Sequence, residues 1–226
     1  MVRPLNAQPG PNTAGGLDRE TTRVRTVYDK GAHKYDRSSM RLPGGGRTWL
    51  AGQVHGQTLE VGIGTGRNLE IYPRDLALTG LELSPAMLEI ARARAATLGR
   101  SVDLRLGDAQ VLPFADASFD TVVFCLSLCT IPDAARAFGE GVRVLRPGGR
   151  IVALEHVRSP NPVVRFVERI AEPITVRFQA DHVLREPLDF AVAEGLRIVS
   201  VERFWLGLVE RLVAEKRSAS EDGVTA

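Results

Sequence analysis

Between residues 57 and 157 the chain alternates apolar runs of strand length with segments whose apolar residues recur at helical spacing. Two strands joined through a helix run parallel, because only a long crossover brings the chain back in the same direction. The alternation therefore predicts βαβ units packed into a parallel sheet. Strands are expected at 58–63, 76–81, 102–106, 119–126 and 150–157. Ser84 followed by Pro85 marks a helix start, and Gly99 stands where that helix should stop. Asp133 opens a second helix with the apolar stripe Ala134, Phe138, Val142 and Leu145, halted by Pro147-Gly148-Gly149. A third carries Val163, Val164, Phe166, Val167 and Ile170 and is expected to end before Pro173. The runs 196–201 and 204–213 are joined too closely for a parallel crossover, so they should pair antiparallel. The expected fold class is α/β: a doubly wound sheet of seven strands, mostly parallel, with a C-terminal antiparallel hairpin and helices on both faces.

Composition narrows the functional classes. The 226 residues carry 29 basic and 27 acidic side chains, a formal charge of +2, which gives no electrostatic footprint for nucleic acid. No apolar run reaches the roughly 18–20 residues of a transmembrane helix. The opening MVRPLNAQPGPNTAGG lacks the apolar core of a secretory signal. Cys125 and Cys129, four apart in an apolar segment, make neither a disulfide framework nor a metal-ligand set. These features predict a cytoplasmic protein without a metal. Residues 1–16 read as a disordered leader, 17–56 as a helical lid, 57–217 as the sheet domain and 218–226 as a disordered tail.

In an open α/β sheet the ligand sits beyond the carboxyl ends of the strands. The sequence there is Glu60-Val61-Gly62-Ile63-Gly64-Thr65-Gly66. Gly62, Gly64 and Gly66 permit a tight turn and let a ligand lie on bare backbone. A dinucleotide fingerprint needs its third glycine one residue later, where Arg67 stands. Glu60 would also face a pyrophosphate badly, whereas it suits a cation such as a sulfonium with its attached ammonium. That charge favours S-adenosylmethionine over NAD. Glu82, with Leu83 beside it, is placed to accept hydrogen bonds from two ribose hydroxyls. Gly107-Asp108-Ala109 follows the third strand and offers a carboxylate to an adenine amino group. The plainer reading of each is a strand-end turn or a loop cap.

The stretches LEVGIGTG, LELSPAMLEIAR, GDAQVLPFADASFDTVV and RVLRPGGRIVALEH resemble consecutive motifs of the class I S-adenosylmethionine-dependent methyltransferases. The resemblance runs from about Val27 to the final strands. It implies a Rossmann-like sheet and S-adenosylmethionine as cofactor. It also assigns Glu60, Gly62, Gly64 and Gly66 to the cofactor loop, Glu82 to the ribose and Asp108 with Ala109 to the adenine. Cys125 falls where the family's fourth strand reaches the methionine portion. YDKGAHKYDR resembles a segment of bacterial phosphatidylethanolamine N-methyltransferases that folds over the cofactor, here through Tyr28 and Tyr35. SLCTIPD and ALEHVRSPNP resemble methyltransferase-like thiol S-methyltransferases, although Gln179-Ala180-Asp181-His182 replaces a usual Gly-Cys pair. The segment that marks quinone-biosynthesis C-methyltransferases after strand five has no counterpart.

Residues 17–50 hold eight basic and four acidic side chains, so this segment is strongly positive against the rest. It reads either as a solvated helix or as a basic lid over an anionic acceptor or lipid headgroup. The expected partner is a small-molecule or lipid-like acceptor methylated on S, N or O, with at most a weak peripheral membrane contact and no obligate protein partner. Methyl transfer from a sulfonium needs alignment and exclusion of water more than covalent help. If a base is used, His156 at the end of strand five is the candidate, ahead of His182 and His33.

Overall fold

The computed structural model describes residues 18–38, 46–179, 182 and 184–218. Seven strands form one sheet: β1 Gln57–Val61, β2 Ala77–Glu82, β3 Asp103–Leu106, β4 Phe119–Cys125, β5 Leu145–His156, β6 Arg197–Phe204 and β7 Val209–Glu215. Their spatial order is β3-β2-β1-β4-β5-β7-β6. The first five run parallel, and β7 pairs antiparallel with both β5 and β6. The strand order reverses between β1 and β4, which opens a crevice at their carboxyl ends. The central strands are apolar on both faces because both are covered. Leu59, Val61, Val122, Phe124, Ile151 and Leu154 are fully buried. Phe124 stacks on Phe138 with ring centroids 5.6 Å apart.

The helices are α1 Arg19–Arg37, α2 Gly46–Ala51, α3 Pro85–Thr97, α4 Ala134–Val144, α5 Pro162–Gln179 and α6 Pro187–Ala193. The expected caps form: Ser84 accepts from the Met87 N–H and Asp133 from the Arg136 N–H. Gly99 takes the left-handed conformation that closes α3.

Three boundaries differ from the sequence expectation. β5 begins at Leu145, because Pro147-Gly148-Gly149 makes an irregularity within the ladder instead of a turn before it. α5 continues through Pro173 to Gln179; Pro173 is exposed, so the carbonyl that its ring leaves unbonded can turn to water. The second hairpin strand starts at Val209, not 204. The unbroken apolar run Phe204-Trp205-Leu206 hid the turn, which is made by Trp205, Leu206 and Gly207, all at positive φ. The leader 1–16, the end of the tail and Gly44-Gly45 lie outside the described residues.

Candidate functional site

The loop after β1 is the floor of the site. Gly62 and Gly64 have φ of +72° and +59°, a region where a Cβ is strained. Space separates the two. A Cβ on Gly62 would lie 2.7 Å from the Ser127 Cβ, whereas one on Gly64 would meet nothing closer than the Met87 sulfur at 3.9 Å. The Gly64 backbone thus borders an open cleft of about 720 Å³. Gly66 serves packing: a Cβ there would stand 2.9 Å from Leu69 and 3.2 Å from Ala91 of α3.

Glu82, at the end of β2, is buried. Its Oε2 accepts from the Gly64 N–H and its Oε1 from the Ser84 N–H, each at 2.9 Å. Burial raises its pKa, and these backbone donors pull it back. The carboxylate ties the glycine loop to β2 while bordering the cleft with Leu83. Asp108 accepts from the Gln110 N–H at 2.9 Å and from Gln110 Nε2 at 3.0 and 3.1 Å. It too lines the cleft, beside Ala109. The cap and the cleft-lining role therefore coexist in one carboxylate.

A smaller chamber adjoins the glycine loop and is lined by Tyr35, Arg47, Glu60, Asn68 and Cys125 among others. Asn68 Nδ2 donates to Glu60 Oε1 at 2.5 Å, and Arg47 Nη1 donates to Asn68 Oδ1 at 2.8 Å. Glu60 Oε2 and the Tyr72 hydroxyl beside it are both buried, and neither makes a hydrogen bond of good geometry. Burial pushes the Glu60 carboxyl up to about 7, partly offset by Asn68, Arg47 and Tyr72. Burial lowers the pKa of Arg47, but its acidic neighbours, Cys125 first with Tyr35 and Glu60, more than offset that and raise it overall. The Cys125 thiol, 3.7 Å from Arg47 Nη1, is pushed up to about 12 by burial and stays protonated.

The roof is α1. Tyr28 and Tyr35 line the cleft, meeting edge to face at 6.5 Å. Asp29 accepts from the Ser84 hydroxyl at 2.5 Å, Asp36 pairs with Arg94 at 2.5 Å, and Arg67 donates to the Tyr35 and Asp36 carbonyls at 2.7 Å. Gln110 Nε2 also donates to the Thr21 hydroxyl at 3.0 Å. On the fourth side, Leu126 takes φ +54° as the chain leaves β4, and Glu155 accepts from the Ser127 and Leu128 N–H groups at 2.8 and 3.0 Å. Such backbone strain gathers where a site over-determines it. His156 follows Glu155 on the strand, so its side chain projects to the opposite face, and it is not among the residues lining the cleft. His33 is exposed, and His182 is joined through its backbone N–H to the Cys129 carbonyl at 2.8 Å. Of the other expected site residues, Gly66 lines neither the cleft nor the chamber and packs against Leu69 and Ala91, while the rest line one or the other.

Residues 59–153 match the methyltransferase domain family. The chain is 37% identical over 119 residues to a phosphatidylethanolamine N-methyltransferase of Cereibacter sphaeroides, covering 51% of this chain and 59% of that protein. It is 36% identical over 155 residues to a ubiquinone/menaquinone biosynthesis C-methyltransferase of Dinoroseobacter shibae, covering 62% and 61%. The matched region thus spans about three fifths of the length of these relatives. A solved S-adenosylmethionine-dependent methyltransferase of Thermotoga maritima superposes with a TM-score of 0.67 at 22% identity, over 86% of this chain and all of that one. Residues 59–153 are thus similar to the methyltransferase domain family, and the fold is the one seen in solved S-adenosylmethionine-dependent methyltransferases.

S-adenosylmethionine is the cofactor of this methyltransferase family, and the residues present fit it. The buried, unbonded Glu60 oxygen asks for a donor or cation, and the bare Gly64 backbone leaves a cradle that a side chain would enter. Sequence reasoning passed over Arg47, Asn68, Gln110 and Glu155. Arg47 was one of eight basic residues in a positive segment, and nothing local sets it apart. Glu155 carried a signal: a carboxylate inside an apolar strand must find donors.

Proposed function

We propose that this methyltransferase moves a methyl group from S-adenosylmethionine to a small-molecule or lipid-like acceptor by in-line displacement. The observation that carries the reading is the opposed pair Arg47 and Glu60 in the chamber beside the glycine loop. A zwitterionic methionine end matches that pair, its ammonium on Glu60 Oε2 and its carboxylate toward Arg47. Glu82 takes the ribose hydroxyls, Asp108 the adenine amino group, and Leu83 with Ala109 the apolar ring faces. When bound, the cofactor supplies a methyl group already activated on its sulfonium. Tyr28 and Tyr35 exclude water from above, and the Gly62–Gly64 backbone fixes the adenosyl group from below.

The acceptor enters from the side of Arg25, Tyr28, Thr130 and Pro132, which also line the cleft. The carboxylates there, Glu82 and Asp108, are already engaged with backbone and Gln110 donors. With His156 away from the cleft, this supports an acceptor whose nucleophile forms without a protein base. A thiol, with a pKa of about 8.5, meets that condition better than a phenol or an alkyl ammonium, both at about 10. Arg25 at the edge, 3.7 Å from Asp29, still leaves guanidinium donors for an acceptor that also carries an anionic group, as a phospholipid headgroup does.

The test is a transfer assay with methyl-labelled cofactor against thiols, phenols, amines and phosphatidylethanolamine vesicles. Label on a thiol is the expected result. Label on phenols or amines alone overturns the base-free reading. Calorimetry that finds NAD binding and no binding of S-adenosylmethionine overturns the whole.

A further inference from the structure

α5 is amphipathic, but its apolar side faces outward. Val163, Phe166, Val167, Ile170 and Ile174 are each 60–70% exposed. At about 100° per residue they fall within an arc of roughly 100°. The opposite side holds Glu168, which is buried and accepts from the Ser159 N–H at 3.1 Å. The patch does not end with the helix. Ser159 Oγ donates to the Leu206 carbonyl at 2.8 Å, which fastens the β6–β7 turn beside the start of α5. Trp205 and Leu206 occupy that turn in left-handed conformations, 52% and 68% exposed. Gly207 sits so close to Pro160 that a Cβ would come within 2.3 Å of its ring. A strained turn that presents a tryptophan and a leucine to solvent is not explained by the fold alone.

We propose that this face, α5 together with the Trp205–Leu206 turn, seats the protein on the surface of an anionic lipid bilayer. Charge selects that occupant. Arg169 is exposed along one flank of the stripe, Arg158 stands exposed before its start with one nitrogen 3.2 Å from Glu186, and Arg23 of α1 donates to the Val176 carbonyl near its end. Neither α5 carboxylate offers an exposed counter-charge, since Glu168 is buried and Glu172 half-buried. A second copy docked through the same patch would set this basic rim against itself. Acidic headgroups pair with it instead, while the stripe and the tryptophan enter the headgroup–acyl boundary. Among the described residues no helix is long and apolar enough to cross a membrane, so the contact lies in the interface plane. A small cavity lined by Arg23, Thr130, Pro132 and Val176 lies at the far end of α5. Three of those residues belong to α1 or the loop after β4, the same elements that border the acceptor side of the cleft. The inference deepens the lipid-like acceptor reading, but its test does not depend on turnover.

The test uses the whole chain with vesicles of phosphatidylcholine alone and with added phosphatidylglycerol. A Trp49→Phe background leaves Trp205 as the sole tryptophan, since the chain has two. Its emission should shift to the blue on phosphatidylglycerol vesicles and be quenched by lipids brominated in the upper acyl chain. Phe166→Ser with Ile170→Ser, both exposed and so compatible with folding, should lower vesicle partitioning by about tenfold or more. Added salt should weaken binding further. Absence of binding to either vesicle overturns the proposal. So does binding with Trp205 unquenched and the double variant unaffected, which would assign the contact to basic α1 alone. A dimer in solution that the double variant converts to monomer overturns it in favour of a second copy. S-adenosylhomocysteine affinity should be unchanged in the double variant; its loss would mean that the variant damages the fold, and Val163→Ser would then replace it.

Discussion

On the floor of the cleft the protein offers backbone, and at its roof it offers side chains. The Gly62–Gly64 turn is held by neighbours in the same sheet: the Gly62 N–H reaches the Leu81 carbonyl at 2.8 Å and the Gly64 N–H reaches Glu82 at 2.9 Å. Its shape is set by strand pairing and cannot change without disturbing β1 and β2. The roof helix α1 precedes the sheet in sequence and contributes no strand. It is fastened by Asp29–Ser84, Asp36–Arg94 and Arg67, contacts that sit near the surface, and by one buried bond, from Gln110 to the Thr21 hydroxyl. Partly exposed pairs of this kind are each worth roughly 1 kcal/mol or less. A floor fixed by strand pairing under a roof held by weaker contacts is expected to give the cofactor one fixed seat and a way in.

The sharpest way to break this contrast is Gly64→Val. A β-branched residue in the left-handed region, with its side chain entering the cleft, should weaken S-adenosylhomocysteine binding by more than about 3 kcal/mol in steric and strain terms together. The fold should persist, because no atom stands closer than 3.9 Å to that Cβ. Titration calorimetry beside circular dichroism checks both halves. Normal binding would reduce the loop to a structural turn.

Next in size is the buried carboxylate. Glu60→Gln should cost about 1–3 kcal/mol of cofactor affinity, because the ammonium loses a charged acceptor. The sign with pH follows from its pKa, raised to about 7. Below that value the carboxyl must lose a proton before it can pair with a cation, so affinity should rise with pH up to about 7 and then level. The glutamine variant should lack that rise. The same raised pKa means that ionisation disfavours the unliganded fold. Stability of the wild type should therefore fall as pH climbs from the ordinary 4.5 through 7, and the variant should be the more heat-stable form at pH 8. A variant that binds with wild-type pH dependence would remove Glu60 from the site.

Arg47→Met tests the join between floor and roof, because it carries a charge from α2 into the floor chamber. It should weaken S-adenosylhomocysteine by about tenfold, but leave methylthioadenosine, which has no amino-acid end, nearly unaffected. Equal losses for both ligands would mean that Arg47 holds up the chamber and does not touch the ligand.

The smallest effect belongs to the roof itself. Asp36→Asn should change cofactor affinity by less than about 1 kcal/mol, while hydrogen exchange across Val24 to Arg37 speeds up in the free protein and slows again with S-adenosylhomocysteine. Equal exchange in both proteins would make α1 a fixed wall instead of a lid.

The sheet, its hairpin and the glycine loop were legible because each rests on local patterning: apolar period, cap residues and glycine spacing act over a few neighbours. The carboxylates Glu60, Glu82 and Asp108 were legible for the same reason, since a strand end in an α/β sheet has one side on which to place a ligand. Arg47, Gln110 and Glu155 were not, because their partners lie 21 to 28 residues away or more and are chosen by packing. His156 was misplaced by one residue of alternation, which turned its side chain from the face that Glu155 serves. The outward apolar stripe of α5 shows the same limit from the other direction. Its amphipathic period was plain in the sequence, and the usual expectation turns such a stripe inward. Period determines that a helix has an apolar side, whereas only the assembled sheet decides which side is left for it to face.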